Sequence, residues 1–143
     1  MTKMPEEIIN GVKIKAVRIE DVFEVEHGAV PKVRRPKKGF VVCPVWTSFD
    51  NGTWDDFLRV QLEAQKRCKE FLTREELEAL AEYCWKHCRH WTGVDYMNEW
   101  VFLINNRKVV GFSFRGWGGF MSRVEHKMTG KVADKMDYIK WYA

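Results

Sequence analysis

The chain has 143 residues, a net charge of +4 and an aromatic content of 14%, with seven Trp and nine Phe. This length fits one domain with its own packed core, and the abundance of apolar side chains excludes a disordered chain. No apolar run approaches the roughly 20 residues of a membrane span, and residues 1–15 lack the apolar segment of a signal peptide, so we expect a cytoplasmic protein without a membrane partner.

The N-terminal part of the chain is expected to form strands after a flexible terminus at residues 1–10. Residues 12–19 and 22–26 predict strands, and "VFEVEH" alternates apolar and acidic side chains as a half-buried strand does. Residues 30–38, "VPKVRRPKK", carry two prolines and five cations, which is typical of an exposed loop or a sheet edge. Residues 39–46, "GFVVCPVW", predict a short buried strand.

Two consecutive helices are predicted over residues 54–71 and 74–90. Thr53 is a suitable N-cap for the first helix. Thr73 and Glu76 have the spacing of a capping box for the second helix. The apolar positions of the first helix recur at helical spacing: Phe57, Val60, Ala64, Cys68 and Phe71.

The C-terminal part is predicted to be a β-hairpin followed by a short helix. Residues 96–114 place two apolar runs around Asn105 and Asn106, which tolerate the positive φ angles of a tight turn. Residues 115–120, "RGWGGF", are expected to be flexible, and residues 131–142 to form the final helix. The whole chain is thus predicted to be one α+β domain. In it a small mixed or antiparallel sheet, built from the N-terminal strands and the hairpin, packs against the two consecutive helices and the short C-terminal helix.

The stretch "EYCWKHCRHW" brings two cysteines and two histidines together in the second predicted helix. On a helical wheel Cys84 and Cys88 fall on the apolar side, His87 lies at its border and His90 points away from it. A zinc site needs four ligands, and beside Cys84, His87 and Cys88 the fourth would come from Cys68 of the preceding helix or from Cys43. The paired loop spacing of zinc ligands is absent, however. We therefore expect buried, reduced thiols rather than a metal site.

Catalytic sequence motifs are absent, so we expect no catalytic residue, no cofactor and no metal. One enzymatic alternative remains, a metal-dependent enzyme. "VEHK" places Glu125 and Lys127 two residues apart, and on a strand they would share a face, as in some metal-dependent nucleases. Such a site needs another acid, for which Asp95 and Glu99 are the nearest candidates. An exposed strand face without chemistry is the simpler interpretation.

Residues 32–38, "KVRRPKK", place five cations within seven residues, and because these cations repel one another they need solvent or an anionic partner. Nucleic acid binds such a patch favourably, because its phosphates release counterions when cations neutralise them. The later stretch "FRGWGGFMSR" adds aromatic rings among cations, and exposed rings suit stacking on unpaired bases. The candidate nucleic-acid-binding residues are Lys32, Arg34, Arg35, Lys37, Lys38, Arg115, Trp117, Phe120, Arg123 and Lys127.

These features fit two classes of function. The first is a small binding protein that holds single-stranded or structured nucleic acid without catalysis. The alternative is a protein-binding regulator or inhibitor, of the kind that a phage or mobile element directs at a host nucleic-acid enzyme. Arginine and aromatic residues are usual interface hot spots, and residues 50–102 are acidic between two basic flanks. If the basic and aromatic segments lie on one face, nucleic acid is the favoured partner. If they lie on opposite faces, a protein partner, such as an anionic protein surface, is favoured. The oligomeric state is left open.

Overall fold

The structure is a computed structural model, and it describes residues 5–29, 32–45, 53–66, 70–89, 100–111 and 114–130. The α+β class predicted from the sequence is confirmed. No helix in these ranges is both long enough and apolar enough to cross a membrane. The elements follow in the order β1 (Glu7–Ile9), β2 (Val12–Arg18), α1 (Ile19–Val22), β3 (Phe23–Glu26), β4 (Lys32–Pro36), β5 (Val41–Pro44), α2 (Trp54–Gln65), α3 (Arg74–His87), β6 (Trp100–Ile104), β7 (Lys108–Gly111) and α4 (Phe114–Thr129).

Five strands form the main sheet in the order β1-β2-β6-β7-β5. Neighbouring strands are antiparallel except for the parallel pair of β5 and β7. The central strand β6 is buried along its whole length. Trp100, Phe102 and Ile104 belong to the larger core on one side of the sheet, whereas Val101 and Leu103 belong to a smaller core on the other side. The sheet is therefore covered on both sides, and the uninterrupted apolar run "WVFLI" reflects this.

Helices α2, α3 and α4 cover the side of the sheet that carries the larger core. Both predicted N-caps are confirmed. Thr53 and Asp56 form a capping box at the start of α2, and Thr73 and Glu76 form one at the start of α3. Each box satisfies backbone N–H groups that have no partner within the helix, so both helices begin where the sequence indicates.

The apolar stripe predicted for the first helix is only partly correct. Helix α2 ends at Gln65, so Phe71 lies beyond it and is 45% exposed. Val60 and Ala64 are only partly buried. The helix instead buries its positions i, i+3, i+4 and i+7, which are Trp54, Phe57, Leu58 and Gln61.

The opposite side of the sheet is covered by α1 and by a separate two-stranded antiparallel sheet of β3 and β4. Phe23 of β3 and Phe40, which follows β4, pack against Val22, Leu103 and Val109. A two-stranded hairpin is only marginally stable in water. This apolar contact therefore holds the β3–β4 pair against the main sheet.

The N-terminal residues, which we expected to be flexible, include an ordered strand. β1 pairs with β2, and Ile9 lies opposite Val12. Between them Asn10 and Gly11 have φ angles of 50° and 80°, the positive values that a two-residue type I′ turn requires. The expectation of flexibility therefore does not hold for residues 5–10.

Side chains in the last turns of helix α3 hold β1 against the rest of the fold. The hydroxyl of Tyr83 donates to the carbonyl of Pro5 over 2.7 Å and accepts the N–H of Ala16 over 3.2 Å. If the register of β1 and β2 continued, Pro5 would lie opposite Ala16, two positions beyond the last paired residues of the ladder. Pro5 has no N–H group, and the hydroxyl bridges the gap between the strands.

Residues 114–129 form a helix, α4, although residues 115–120 are expected from the sequence to be flexible. Phe120, Met121 and Val124 are buried at helical spacing on one side. Gly130, with a φ angle of +75°, ends the helix in the left-handed conformation that glycine adopts readily. The expectation of a flexible segment at residues 115–120 is therefore wrong.

The predicted hairpin is confirmed in β6 and β7, with its turn at Asn105 and Asn106, but its predicted end at residue 114 is wrong because Phe114 begins α4. Their φ angles are 52° and 60°, in the left-handed region that asparagine tolerates better than most residues. The helix expected at residues 131–142 lies outside the described residues.

Candidate functional site

The basic segment forms one strand of an antiparallel ribbon. β4 pairs with β3, and these two strands together with the following Lys37 and Lys38 are called the charged ribbon. The N–H of Lys37 donates over 2.8 Å to the carbonyl of the last residue of α1, which fixes the end of the ribbon. Because Phe23 packs inward, the alternate side chains of β3, Glu24 and Glu26, point away from the sheet.

A β-bulge sets the position of the two arginines of β4. Glu24 lies opposite Arg35 and Val25 lies opposite Val33, so Arg34 has no opposite residue in β3. A bulge adds one residue to one strand and redirects its side chain. Both arginine side chains are exposed, Arg34 by 51% and Arg35 by 76%.

Each of these arginines makes an ion pair with a glutamate of β3. Nε of Arg35 lies 2.5 Å from Oε2 of Glu24, and the guanidinium of Arg34 pairs with Glu26. Both carboxylates are about half exposed. The ribbon thus presents an acidic row (Glu24 and Glu26) beside a basic row (Arg34 and Arg35). The chain itself supplies the anionic partner that two of the five cations need.

The charged ribbon retains an excess of positive charge. Its five cations outnumber its two carboxylates, which gives a net charge of +3. Lys37 and Lys38 are exposed, and neither makes an ion pair with any residue that the structure describes. The side chain of Lys32 lies outside the described part. Helices α2, α3 and α4 on the other side of the sheet carry a net charge of −2, so the two sides differ in sign.

Helix α4 places other candidate residues in the core or against a neighbouring helix. Phe120 is 2% exposed and Arg123 is 1% exposed, so neither reaches a ligand from its position. Nζ of Lys127 lies 5.4 Å from the ring centre of Trp54 in α2. The expectation that Phe120 and Arg123 belong to a nucleic-acid-binding surface does not agree with this burial.

The ten candidate residues are not brought together on one surface. The charged ribbon covers one side of the sheet, and α4 packs on the other. Arg115 and Trp117 lie in the first turn of α4, and their side chains are outside the described part. Basic and aromatic segments on opposite faces favour a protein partner over a composite nucleic-acid site. The described candidates that share the ribbon are Arg34, Arg35, Lys37 and Lys38.

The cysteine and histidine stretch forms the buried side and the end of α3. Cys84 and Cys88 are buried free thiols, and burial raises the pKa of Cys84 well above its usual range. Nε2 of His87 lies 2.8 Å from the carboxylate of Glu7, so this imidazole binds β1. Cys68 lies outside the described residues. Within the residues that are described, no three His, Cys, Asp or Glu side chains are grouped as metal ligands.

The geometry assumed for the enzymatic alternative is absent. Glu125 and Lys127 lie on α4, where residues two apart point about 200° away from each other. They do not share a face as they would on a strand. Asp95 and Glu99 lie outside the described residues, so the second acid of such a site has no position here.

Sequence reasoning did not identify Glu24 and Glu26 as partners of the arginines. A signal was available, because "FEVE" and "KVRRP" are strand-like runs of opposite charge separated by five residues that include Gly28. Runs at this spacing are typical of a hairpin with a longer loop. The prolines and the density of positive charge in the second run favoured a loop instead.

Compared with family models, curated proteins and solved structures, the chain shows no significant match to any.

Proposed function

We propose that the protein is a non-catalytic binding module that contacts a protein partner through the exposed face of the charged ribbon. The observation that carries this proposal is the acidic row beside the basic row. A protein surface can oppose both rows, with cations facing Glu24 and Glu26 and carboxylates facing Arg34 and Arg35. Such complementarity fixes the register of two partners and suppresses wrong ones.

The chemistry of the exposed side chains supports this proposal. Arginine is enriched at protein interfaces, where its planar guanidinium binds carboxylates in a defined geometry. Exposed ion pairs contribute little to stability, so Arg34 and Arg35 exchange Glu26 and Glu24 for a partner's carboxylates at low cost. Lys37 and Lys38 extend the cationic surface beyond the basic row.

The contact is made by side chains rather than by the backbone edge of β4. An open strand edge attracts another strand, and proteins block such edges with lysine, bulges and proline. β4 has two of these features, the bulge at Arg34 and the terminal Pro36. Addition of a partner strand to this edge is therefore disfavoured, and the face that carries the two rows remains as the contact surface.

Nucleic acid is the second candidate ligand of the same ribbon. The observation in its favour is the net charge of +3, together with Lys37 and Lys38, which are exposed and make no ion pair within the described part. A phosphate backbone would release counterions on contact with these groups. Against this candidate, Glu24 and Glu26 would face the phosphates, and Phe120 does not provide a stacking surface because it is buried.

The test compares proteins retained from a lysate of the cells in which the chain occurs. The baits are the wild type, the variant R34A/R35A and the control R59A/R74A, which removes two exposed, ion-paired arginines from the helices instead. We expect the wild type and the control to retain a stoichiometric protein that R34A/R35A loses. Equal retention by all three baits would show that the ribbon is not the contact surface, and nuclease treatment that abolishes retention would favour nucleic acid.

A further inference from the structure

We infer that Glu24 and Glu26 are specificity determinants that keep nucleic acid off the charged ribbon. This inference deepens the proposed function, because it explains how a ribbon with five cations favours a protein over a polyanion. The two carboxylates lie on the strand next to the arginines and make direct ion pairs with them. A specific surface often needs a repulsive element against the wrong ligand as well as attraction for the right one.

The distance between the two strands is short enough for the carboxylates to repel a bound phosphate chain. Neighbouring strands lie roughly 4.8 Å apart, so a phosphate chain lying along β4 would have both carboxylates one strand away. This separation is shorter than the Debye length of about 8 Å at physiological ionic strength, so salt does not remove the repulsion. A protein partner avoids it by placing cations above β3, which a phosphate backbone cannot do.

The same carboxylates also hold the guanidinium groups that a phosphate would need. Arg34 and Arg35 are each paired with a glutamate, so a polyanion that takes these two guanidinium groups leaves two carboxylates without a cation beside its own negative charge. Only Lys37 and Lys38 then remain as exposed side chains without an ion pair among the described residues. The acidic row thus reduces the number of phosphates that the ribbon can neutralise.

The experiment measures fluorescence anisotropy of a labelled single-stranded oligonucleotide and of its duplex at several salt concentrations. The variant E24Q/E26Q removes both charges and keeps the side-chain shape. The control E63Q/E75Q makes the same change in net charge on the helices, where both carboxylates are exposed. We expect E24Q/E26Q to bind about tenfold or more tightly than the wild type, with a salt dependence steeper by about two phosphate contacts. The control should remain close to the wild type.

The outcomes separate this inference from the proposed function. If E24Q/E26Q binds no more tightly than E63Q/E75Q, or if neither binds, the carboxylates do not exclude nucleic acid and the inference is wrong. If the wild type itself binds either oligonucleotide at micromolar concentration, the ligand of the ribbon is nucleic acid and the proposed protein partner is wrong. Because exposed ion pairs contribute little to folding, each variant should unfold at the same temperature as the wild type. Thermal unfolding of each variant therefore verifies that the fold is intact.

Discussion

Replacing Tyr83 with Phe removes one hydroxyl group and leaves the ring in place. That hydroxyl accepts the N–H of Ala16 over 3.2 Å and donates to the carbonyl of Pro5 over 2.7 Å. Ala16 is buried, so its N–H would lose its partner without gaining water, at a cost of about 1–3 kcal/mol. Pro5 is exposed, and its carbonyl regains water, so the loss there is about 0.5–1.5 kcal/mol. Together the two losses should destabilise the fold by about 1.5–4.5 kcal/mol.

Urea unfolding followed by tryptophan fluorescence measures this loss. With a slope of about 2 kcal/mol per molar urea, the midpoint should fall by about 0.8–2.3 M. Hydrogen exchange gives a local readout, since the amide of Ala16 should lose protection more than the amides of β6. Glu63→Gln, which opens only the exposed ion pair with Lys66, serves as a control with little expected change. A Tyr83→Phe midpoint equal to that of the control would refute the bridging role of the hydroxyl.

Two further predictions concern α3. Lys86 and His87 hydrogen-bond Glu7, and these contacts lower the pKa of its carboxyl below the ordinary value. A carboxyl whose pKa is lowered in the folded state adds stability above its unfolded-state pKa, and this stability is lost as pH falls through the folded-state pKa. Glu7→Gln should therefore be less stable than the wild type near pH 7, and urea unfolding should show this difference vanish in acid; a constant difference would contradict the interaction. The buried thiols of Cys84 and Cys88 should stay unlabelled by a thiol reagent at pH 8 until urea is added, as mass spectrometry of peptides can measure.

Local signals in the sequence were sufficient for two of the four described helices, α2 and α3, and for one hairpin. Thr73 and Glu76 define the start of α3 because a capping box acts within four residues. Asn105 and Asn106 define a turn because few residues tolerate positive φ angles. The Asn10–Gly11 pair carried the same kind of signal for β1 and β2, but the charged N-terminal sequence was interpreted as a flexible end.

The elements that sequence reasoning missed depend on contacts distant in the chain or on weak local preference. Helix α4 contains three glycines near its start, which lower helix propensity, and packing of Phe120 and Val124 against the core overrides that preference. The side of the sheet on which the ribbon lies is fixed by the packing of Phe23 and Phe40, which no local pattern encodes. For this reason the sequence predicted a dense group of cations but not the acidic row beside it.

The central claim is that the arrangement of the two charged rows, rather than their net charge, selects the partner. The variant E24R/E26R/R34E/R35E exchanges the rows while keeping the ribbon's net charge of +3 and the possibility of ion pairs between its strands. Titration of the retained partner protein into wild type and variant, by calorimetry, compares their affinities. The account predicts a loss of about tenfold or more for the variant, because each row then faces like charge on the partner. Equal affinity of the two proteins would contradict it, since only a ligand that senses net charge would fail to distinguish them.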